Sequence, residues 1–201
     1  GLDAVGNRTN RTSSLTGIGN QSFSYNANDW LSHDTYDNNG NTTVGVNGIG
    51  IAVGSAYDFE NKLTYQSNGT NEVRMVYDGD GNRVKKSAYD GTNTITTYYL
   101  VDTKNLTGYA QVLEEYVSTN SSTMVLSKVY SYGHDLVSQD GWDGAYWNLS
   151  YYGYDGHGSV RFLTDNSGAV TDTYMYDAFG SLIAVTGSTP NVYLYTGEQF
   201  D

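Results

Sequence analysis

Cysteine is absent from the 201-residue chain and proline occurs once. Without cysteine there are no disulfides and no thiolate metal site. Charged residues make up only 16% of the sequence, and no apolar run approaches the roughly 20 residues that a membrane-spanning helix needs. The basic-then-apolar pattern of a signal peptide is also missing, so we expect any export signal to have been removed or to lie upstream.

Positive charge is scarce. The chain has 10 Lys and Arg against 22 Asp and Glu, a net charge of −12. Phosphate recognition needs a clustered basic face, so this balance argues against nucleic acid as a partner. The small cluster of Arg83, Lys85 and Lys86 is interpreted as solvent-facing strand charges beside a capping arginine. An acidic surface also disfavours anionic membranes.

Aromatic and turn-forming residues are abundant instead. Aromatics reach 14%, with 20 tyrosines, and there are 24 glycines. Thr, Val, Tyr, Ser, Asn and Gly are typical of strands joined by tight turns, whereas helix formers are few. The composition therefore predicts an all-β protein.

An internal repeat organises the chain. It reads Tyr-Asp-x-x-Gly-[Asn/Ser], and variant copies begin at Leu2 and at Tyr57. Where consecutive copies are regular, they are 20 to 22 residues apart, which suits two strands and two turns per unit. The repeat-turn residues are Tyr36, Asp37, Gly40, Tyr77, Asp78, Gly81, Tyr154, Asp155, Gly158, Tyr176, Asp177 and Gly180.

Each repeat residue has a physical role in the turn. Asp can accept hydrogen bonds from backbone N–H groups two residues on, and Gly supplies the positive φ of a hairpin bend. Tyr ends the incoming strand and can pack on one sheet face while its hydroxyl reaches a partner. A single hairpin is marginal in water, so the repeats predict stacked antiparallel hairpins in one continuous, spirally wound or solenoid-like sheet.

Repeat quality divides the chain into three parts of one array. Residues 1–90 carry the generic repeats, 91–150 are divergent and rich in aromatics, and 151–201 carry the sharpest motifs. The segment 107–117 alternates like a strand and is interpreted as one.

The motifs near the end of the chain resemble a known family. Residues 156–165 (GHGSVRFLTD), 174–182 (YMYDAFGSL) and 193–201 (YLYTGEQFD) are similar, in this order, to signatures of the tyrosine/aspartate (YD) repeat core of bacterial Rhs proteins. That family includes Rhs toxins, C components of insecticidal toxin complexes, and teneurins. The resemblance implies a spiral β-sheet shell without an active site of its own. The family's self-cleavage motif has no counterpart here, so autoproteolysis is carried over to no residue.

Other candidate sites are weaker. Asp78 to Asn82 begins like a calcium loop but lacks the later ligands, so plain turn chemistry is favoured, and no metal or cofactor is expected. The tryptophans Trp142 and Trp147 could form a sugar-stacking face, although a packed sheet face explains them as well. Eight sequons could carry N-linked sugars: Asn7, Asn10, Asn20, Asn41, Asn68, Asn105, Asn120 and Asn148.

These patterns together predict a non-enzymatic, extracellular structural protein of bacterial type. We expect it to be secreted or at the cell surface, and to build a wall, shell or fibre by sheet continuation. A fragment of an Rhs-type toxin-encapsulating shell and a surface adhesion or carbohydrate-binding module are the alternatives. The expected partners are further copies of the chain, as a homo-oligomer or polymer, or the remainder of a longer repeat chain.

Overall fold

The protein is almost entirely β-sheet. A computed structural model describes residues 1–14, 18–46 and 50–200. Strands β3 to β16, whose residue ranges are given in the next paragraphs, form one antiparallel sheet. In this sheet each strand pairs with the strands that precede and follow it in the sequence. The prediction of an all-β fold built from stacked antiparallel hairpins is confirmed.

The chain divides into two compact units. The first unit comprises Gly1–Thr97 with Ser118–Thr123, and the second comprises Tyr98–Val117 with Met124–Asp201. This division into units is based on how compactly the residues pack. The three-part division at residues 90 and 150 was based on how well the sequence matches the repeat, and it stays a prediction.

The first unit contains short strands. They are β1 (Asn10–Arg11), β2 (Gln21–Ser22), β3 (Thr35–Tyr36), β4 (Thr42–Val46), β5 (Ala52–Tyr57), β6 (Leu63–Ser67), β7 (Glu72–Tyr77), β8 (Arg83–Tyr89) and the start of β9 (Thr94–Asp102). Among its described residues only Ile18 and Met75 are buried apolar side chains. Backbone pairing and turn contacts therefore hold this unit together more than an apolar core does.

The second unit contains longer strands and a true core. The strands are β10 (Gln111–Thr119), which ends in the first unit, β11 (Val125–Tyr132), β12 (Leu136–Trp142), β13 (Trp147–Tyr154), β14 (Val160–Thr164), β15 (Val170–Tyr176) and β16 (Leu182–Thr186), followed by a 3₁₀ turn (Tyr195–Gly197). Strand β10 confirms the strand interpretation of 107–117 over its second part. The buried apolar residues are Tyr130, Leu136, Val160, Leu163, Tyr174 and Tyr193.

The two faces of the second unit's sheet differ. Cross-strand partners share a face, and successive residues alternate between faces. Tyr130 pairs with Gln139, and Tyr152 pairs with Leu163, on the face that is covered. We call this the core face. Trp142 pairs with Trp147 on the opposite, more exposed outer face.

A C-terminal segment covers the core face. Residues 188–200, which we call the strap, follow β16 and return across strands β11 to β15. The Val160 N–H donates to the Leu194 carbonyl at 2.9 Å, and the Thr196 N–H donates to the Ser159 hydroxyl at 3.0 Å. The strap therefore supplies the cover that a one-sided sheet needs to bury its apolar face.

Candidate functional site

The repeat turns share one hydrogen-bonding pattern. In the turn that begins at Asp37, the carboxylate oxygen Oδ1 accepts the N–H groups of Asn39 and Asn41, both at 2.9 Å. Gly40 closes the turn with a φ of 89°. The same double acceptance occurs at Asp3, Asp58, Asp78, Asp155, Asp165 and Asp177. These are three-residue hairpin loops in which the turn is followed by a bulge.

One of these turns, and one further turn of similar geometry, were not predicted from the sequence. Asp165 begins a turn with Gly168 at a φ of 84°, but Thr164 stands where the repeat has Tyr. Asn26 replaces Asp in an otherwise similar turn, and Asp29 at a φ of 61° replaces Gly. A search for Asp followed three residues later by Gly, without the preceding Tyr, would have predicted the turn at Asp165.

The repeat tyrosines are anchored by their hydroxyls. Tyr57 donates to the Thr42 carbonyl at 3.1 Å, and Tyr77 donates to the Leu63 carbonyl at 2.8 Å. Tyr154 donates to the carbonyl of Leu136 at 2.7 Å. Each bond ties the end of one hairpin to the start of an earlier outgoing strand, so the tyrosine sets the spacing between neighbouring repeats.

Tyr176 departs from this pattern. Its hydroxyl is buried and has no hydrogen-bond partner among the described residues. Burial raises the pKa of Tyr176 to about 12. Its ring packs edge-on against Tyr195 of the strap, with the ring centroids 5.5 Å apart.

Buried polar side chains of the core face hold the strap. The Lys128 ammonium donates to the Pro190 carbonyl at 2.7 Å, and the Gln139 amide donates to the same oxygen at 3.1 Å. The Tyr152 hydroxyl lies 2.9 Å from oxygens of both Gln139 and Asn191. Burial lowers the pKa of Lys128, although the negative charge of Glu115 opposes this.

Tyrosines surround this polar core. The Tyr130 hydroxyl donates to Glu115 Oε1 at 2.9 Å, and the Tyr132 and Tyr193 hydroxyls are 3.4 Å apart. Burial, together with the nearby carboxylate of Glu115, raises the pKa of both Tyr130 and Tyr193. These phenols therefore stay protonated and act as hydrogen-bond donors at neutral pH.

Asp172 makes the last anchor of the strap. It is 2% exposed, and its carboxylate accepts the Thr189 N–H at 2.9 Å and the Thr189 hydroxyl at 2.6 Å. Burial acts to raise the pKa of Asp172, but the hydrogen bonds from Thr189, Thr171 and Ser188 together outweigh it and lower the pKa. Because Asp172 is ionised, both bonds are charge-assisted.

A cavity of about 460 Å³ opens beside the strap in the second unit. Its wall includes Tyr109, Tyr132, Tyr154 and Tyr193, with Asp135 and Asp155 at the adjoining turns. Aromatic and titratable side chains of this unit meet in this cavity, so we take it as the candidate site.

The predicted sugar-stacking pair lies elsewhere, on the outer face. The Trp142 and Trp147 rings have centroids 5.6 Å apart and are tilted by 49°, and these residues are 36% and 41% exposed. The structure thus brings the two side chains together beside the turn at Asp143. Sugar binding by this pair stays a prediction.

Two of the predicted sequons lie in strands, Asn10 in β1 and Asn148 in β13, and the asparagine side chains of the sequons take part in hydrogen bonds. The Asn41 amide donates to Asp37 at 2.9 Å and to Asn61 at 2.8 Å. The Asn120 amide donates to Asn93 at 2.8 Å. Glycosylation stays a prediction for all eight.

Neither a metal-binding cluster nor a membrane-spanning helix is found in the part of the chain that the structure describes. No cluster of three or more His, Asp or Glu side chains that could hold a metal ion exists in the described part of the chain. At the calcium-like segment, Asp78 is instead occupied by the N–H groups of Asp80 and Asn82. Residues 1–14, 18–46 and 50–200 contain no helix with the length and apolar character needed to cross a bilayer.

The amino-acid sequence is similar to parts of much longer proteins. No protein-family model matches the chain. The tRNA nuclease WapA of Bacillus subtilis (strain 168) is 29% identical over 170 residues. The tRNA3(Ser)-specific nuclease WapA of Bacillus spizizenii is 31% identical over 172 residues. Each match covers 83% of this chain but only 7% of the relative.

Solved structures show the same fold. The crystal structure of TcdB2-TccC3-Cdc42 matches with a TM-score of 0.62 and 16% identity, over 83% of this chain and 8% of that one. The crystal structure of TcdB2-TccC3 matches equally well, at 15% identity. At such identity the likeness shows the fold alone, and it supports the Rhs-like architecture expected from the sequence.

The relatives overturn the predicted function. A non-enzymatic structural protein was expected, but the curated relatives are named tRNA nucleases. Of the two alternatives, the fragment of a toxin-encapsulating shell is partly consistent with this finding, whereas nothing supports the adhesion module. The expectation that the protein is not an enzyme is contradicted by the same finding. The physical reason for the error is scale, because the matched region is about 7% of each relative, and its side chains report only on that share of the protein.

Proposed function

We propose that this chain is a β-sheet segment of a larger tRNA nuclease related to WapA. The observation that carries the proposal is the match of 83% of the chain to relatives named as tRNA nucleases. Since the matched region is 7% of each relative, the cleavage chemistry of the complete protein is proposed to lie outside these residues.

The charge of the segment supports the proposal that tRNA cleavage takes place in another part of the complete protein. A net charge of −12 repels phosphate, and the turn carboxylates are engaged by backbone N–H groups. A surface that binds tRNA needs Lys and Arg clustered on one face. The tRNA is therefore proposed to bind another part of the complete protein.

The repeats are proposed to be YD repeats of the Rhs core type. The three motifs at 156–165, 174–182 and 193–201 and the recurring Asp-x-x-Gly turn geometry support this, although the last motif ends at Asp201, outside the described residues. Secretion is proposed on the same resemblance. Association between copies is the weaker proposal, because an array that continues along one chain needs no second copy.

The experiment compares the complete gene product with the isolated 201-residue chain in a tRNA cleavage assay. Purified tRNA is incubated with each protein and separated by denaturing electrophoresis. We expect discrete fragments from the complete product and intact tRNA from the isolated chain.

Two outcomes would contradict the proposal in different ways. Intact tRNA with the complete product, at protein concentrations equal to that of the tRNA, would remove the nuclease assignment. Cleavage by the isolated chain would instead show that the chemistry lies within these residues. A heat-denatured sample of each protein controls for contaminating ribonuclease.

A further inference from the structure

The cavity beside the strap has an unusual wall for a protein pocket. Four tyrosines, Tyr109, Tyr132, Tyr154 and Tyr193, share it with the carboxylates of Asp135 and Asp155. No Lys or Arg is among its lining residues. Tyr109 is 80% exposed, so a large aromatic surface is available at the entrance.

One carboxylate at this cavity is uncommitted. Asp135 lies in the tight turn between β11 and β12, and its side chain makes no hydrogen bond or ion pair in the described part of the chain. Burial raises the pKa of Tyr154 and the negative charge of Asp135 adds to this effect, and both residues line the cavity. Asp155 is more fully engaged, because its Oδ1 accepts the N–H groups of His157 and Ser159 and its Oδ2 lies 3.8 Å from Arg161 Nη1.

The surrounding unit reinforces the negative potential. Residues 98–117 and 124–201 contain 3 Lys or Arg and 12 Asp or Glu, so their net charge is 3 − 12 = −9. Of the three cations, Lys128 is buried against Pro190 and Arg161 faces Asp155. A concave site in such a field concentrates cations from solution.

Aromatic rings combined with a free carboxylate recognise a particular chemistry. Ring faces attract an ammonium group electrostatically, and a carboxylate accepts its N–H bonds with charge assistance. We propose that this cavity binds an alkylammonium group, carried either by a lysine side chain of a peptide or by a free polyamine. The site would bind this ligand whether or not the complete gene product cleaves tRNA.

The test is isothermal titration calorimetry of the protein with spermidine and, separately, with the peptide acetyl-Gly-Lys-Gly-amide. We expect saturable binding of one ligand per chain, and the tighter of the two ligands identifies the source of the ammonium group. Asp135→Asn should weaken binding about tenfold, because it removes a charged hydrogen-bond acceptor. Tyr109→Ala should weaken it several-fold, and its exposure leaves the fold unaffected.

Asp80→Asn is the matched control. Asp80 is exposed in the first unit, and the substitution removes the same charge without touching the cavity. Unchanged affinity in this variant would support a defined site. If Asp80→Asn and Asp135→Asn weaken binding equally, the ligand is attracted by the overall negative charge of the protein and not by this cavity, which would overturn the proposal. Absence of saturable binding by both ligands would also overturn it, provided that circular dichroism shows the native fold.

Discussion

The ring of Phe162 lies directly over Gly153, its cross-strand partner on the outer face of the second unit. A Cβ atom added to Gly153 would clash with the Phe162 ring. The aromatic ring thus occupies the space that a side chain would otherwise fill, which explains why glycine suits a strand interior that ordinarily disfavours it.

We expect Gly153→Ala to destabilise the protein by about 1 to 3 kcal/mol, because the Phe162 ring must be displaced. The measurement is the free energy of unfolding in guanidinium chloride. Gly141→Ala is the matched control, since Gly141 also lies within a strand of this sheet and its Cβ would meet nothing within 4 Å. Removing a flexible glycine there should leave the stability unchanged or slightly higher. Equal losses in both variants would contradict the role of Phe162.

The turn carboxylates predict an acid limit to stability. Hydrogen bonds from the side chain and backbone of Asn41 lower the pKa of Asp37, and those from Ser167 lower the pKa of Asp165. A carboxyl with a lowered folded-state pKa contributes stability above its unfolded pKa, near 3.9, and this is lost as pH falls through the folded pKa. We expect stability to fall continuously below about pH 4.

Asp165→Asn separates charge from hydrogen bonding in this prediction. The amide oxygen can still accept the N–H groups of Ser167 and Ala169, but it does not titrate in this range. The variant should therefore lose stability less steeply between pH 4 and pH 2 than the native protein. Parallel curves of unfolding free energy against pH would show that Asp165 does not contribute to the acid limit.

The buried tyrosines predict an alkaline limit. Burial raises the pKa of Tyr130, Tyr152 and Tyr193 far above the ordinary value near 10. A group whose folded pKa is raised contributes stability that is fully present below the unfolded pKa and is lost as pH rises. Lys128, whose pKa is lowered, acts in the opposite direction but is a single group.

Tyrosinate absorbance near 295 nm provides the measurement. The buried tyrosines should ionise only in one cooperative step that coincides with unfolding, above the ordinary value near pH 10. All 20 tyrosines titrating together near pH 10, with the fold intact by circular dichroism, would contradict the burial of the cluster.

Local features of this molecule could be read from the sequence, whereas distant contacts could not. Asp37 and Gly40 lie three residues apart, and their turn follows from the conformational preferences of Asp and Gly alone. The bond from Lys128 to Pro190 joins residues 62 positions apart, and no periodic pattern signals it. The candidate cavity depends on this return of the strap, and therefore sequence reasoning named neither Asp135 nor Tyr109 as a site residue.

The sequons separate into two groups by hydrogen bonding. Five asparagines donate through the side-chain nitrogen that would carry a sugar: Asn7, Asn41, Asn105, Asn120 and Asn148. The other three, Asn10, Asn20 and Asn68, engage the side-chain oxygen. We expect any sugar on the folded protein to be confined to the second group. Peptide mass spectrometry after enzymatic deglycosylation in heavy-oxygen water checks this, and a sugar on Asn41 or Asn148 would contradict it.

Asp172 provides the sharpest test of how the strap is held. Asp172→Ala removes the acceptor of both the Thr189 N–H and the Thr189 hydroxyl, which are partly buried and lose this partner. The loss should be about 3 kcal/mol, since bonds to a charged group contribute about 1.5 to 3 kcal/mol each. Asp172→Asn keeps one acceptor oxygen and should lose about half as much stability.

Amide hydrogen exchange locates the effect, because the Val160 N–H donates to the Leu194 carbonyl of the strap. We expect Val160 to exchange faster in Asp172→Ala while Tyr77, in the first unit, is unchanged. Uniform acceleration at both amides would mean that Asp172 stabilises the whole protein rather than the strap.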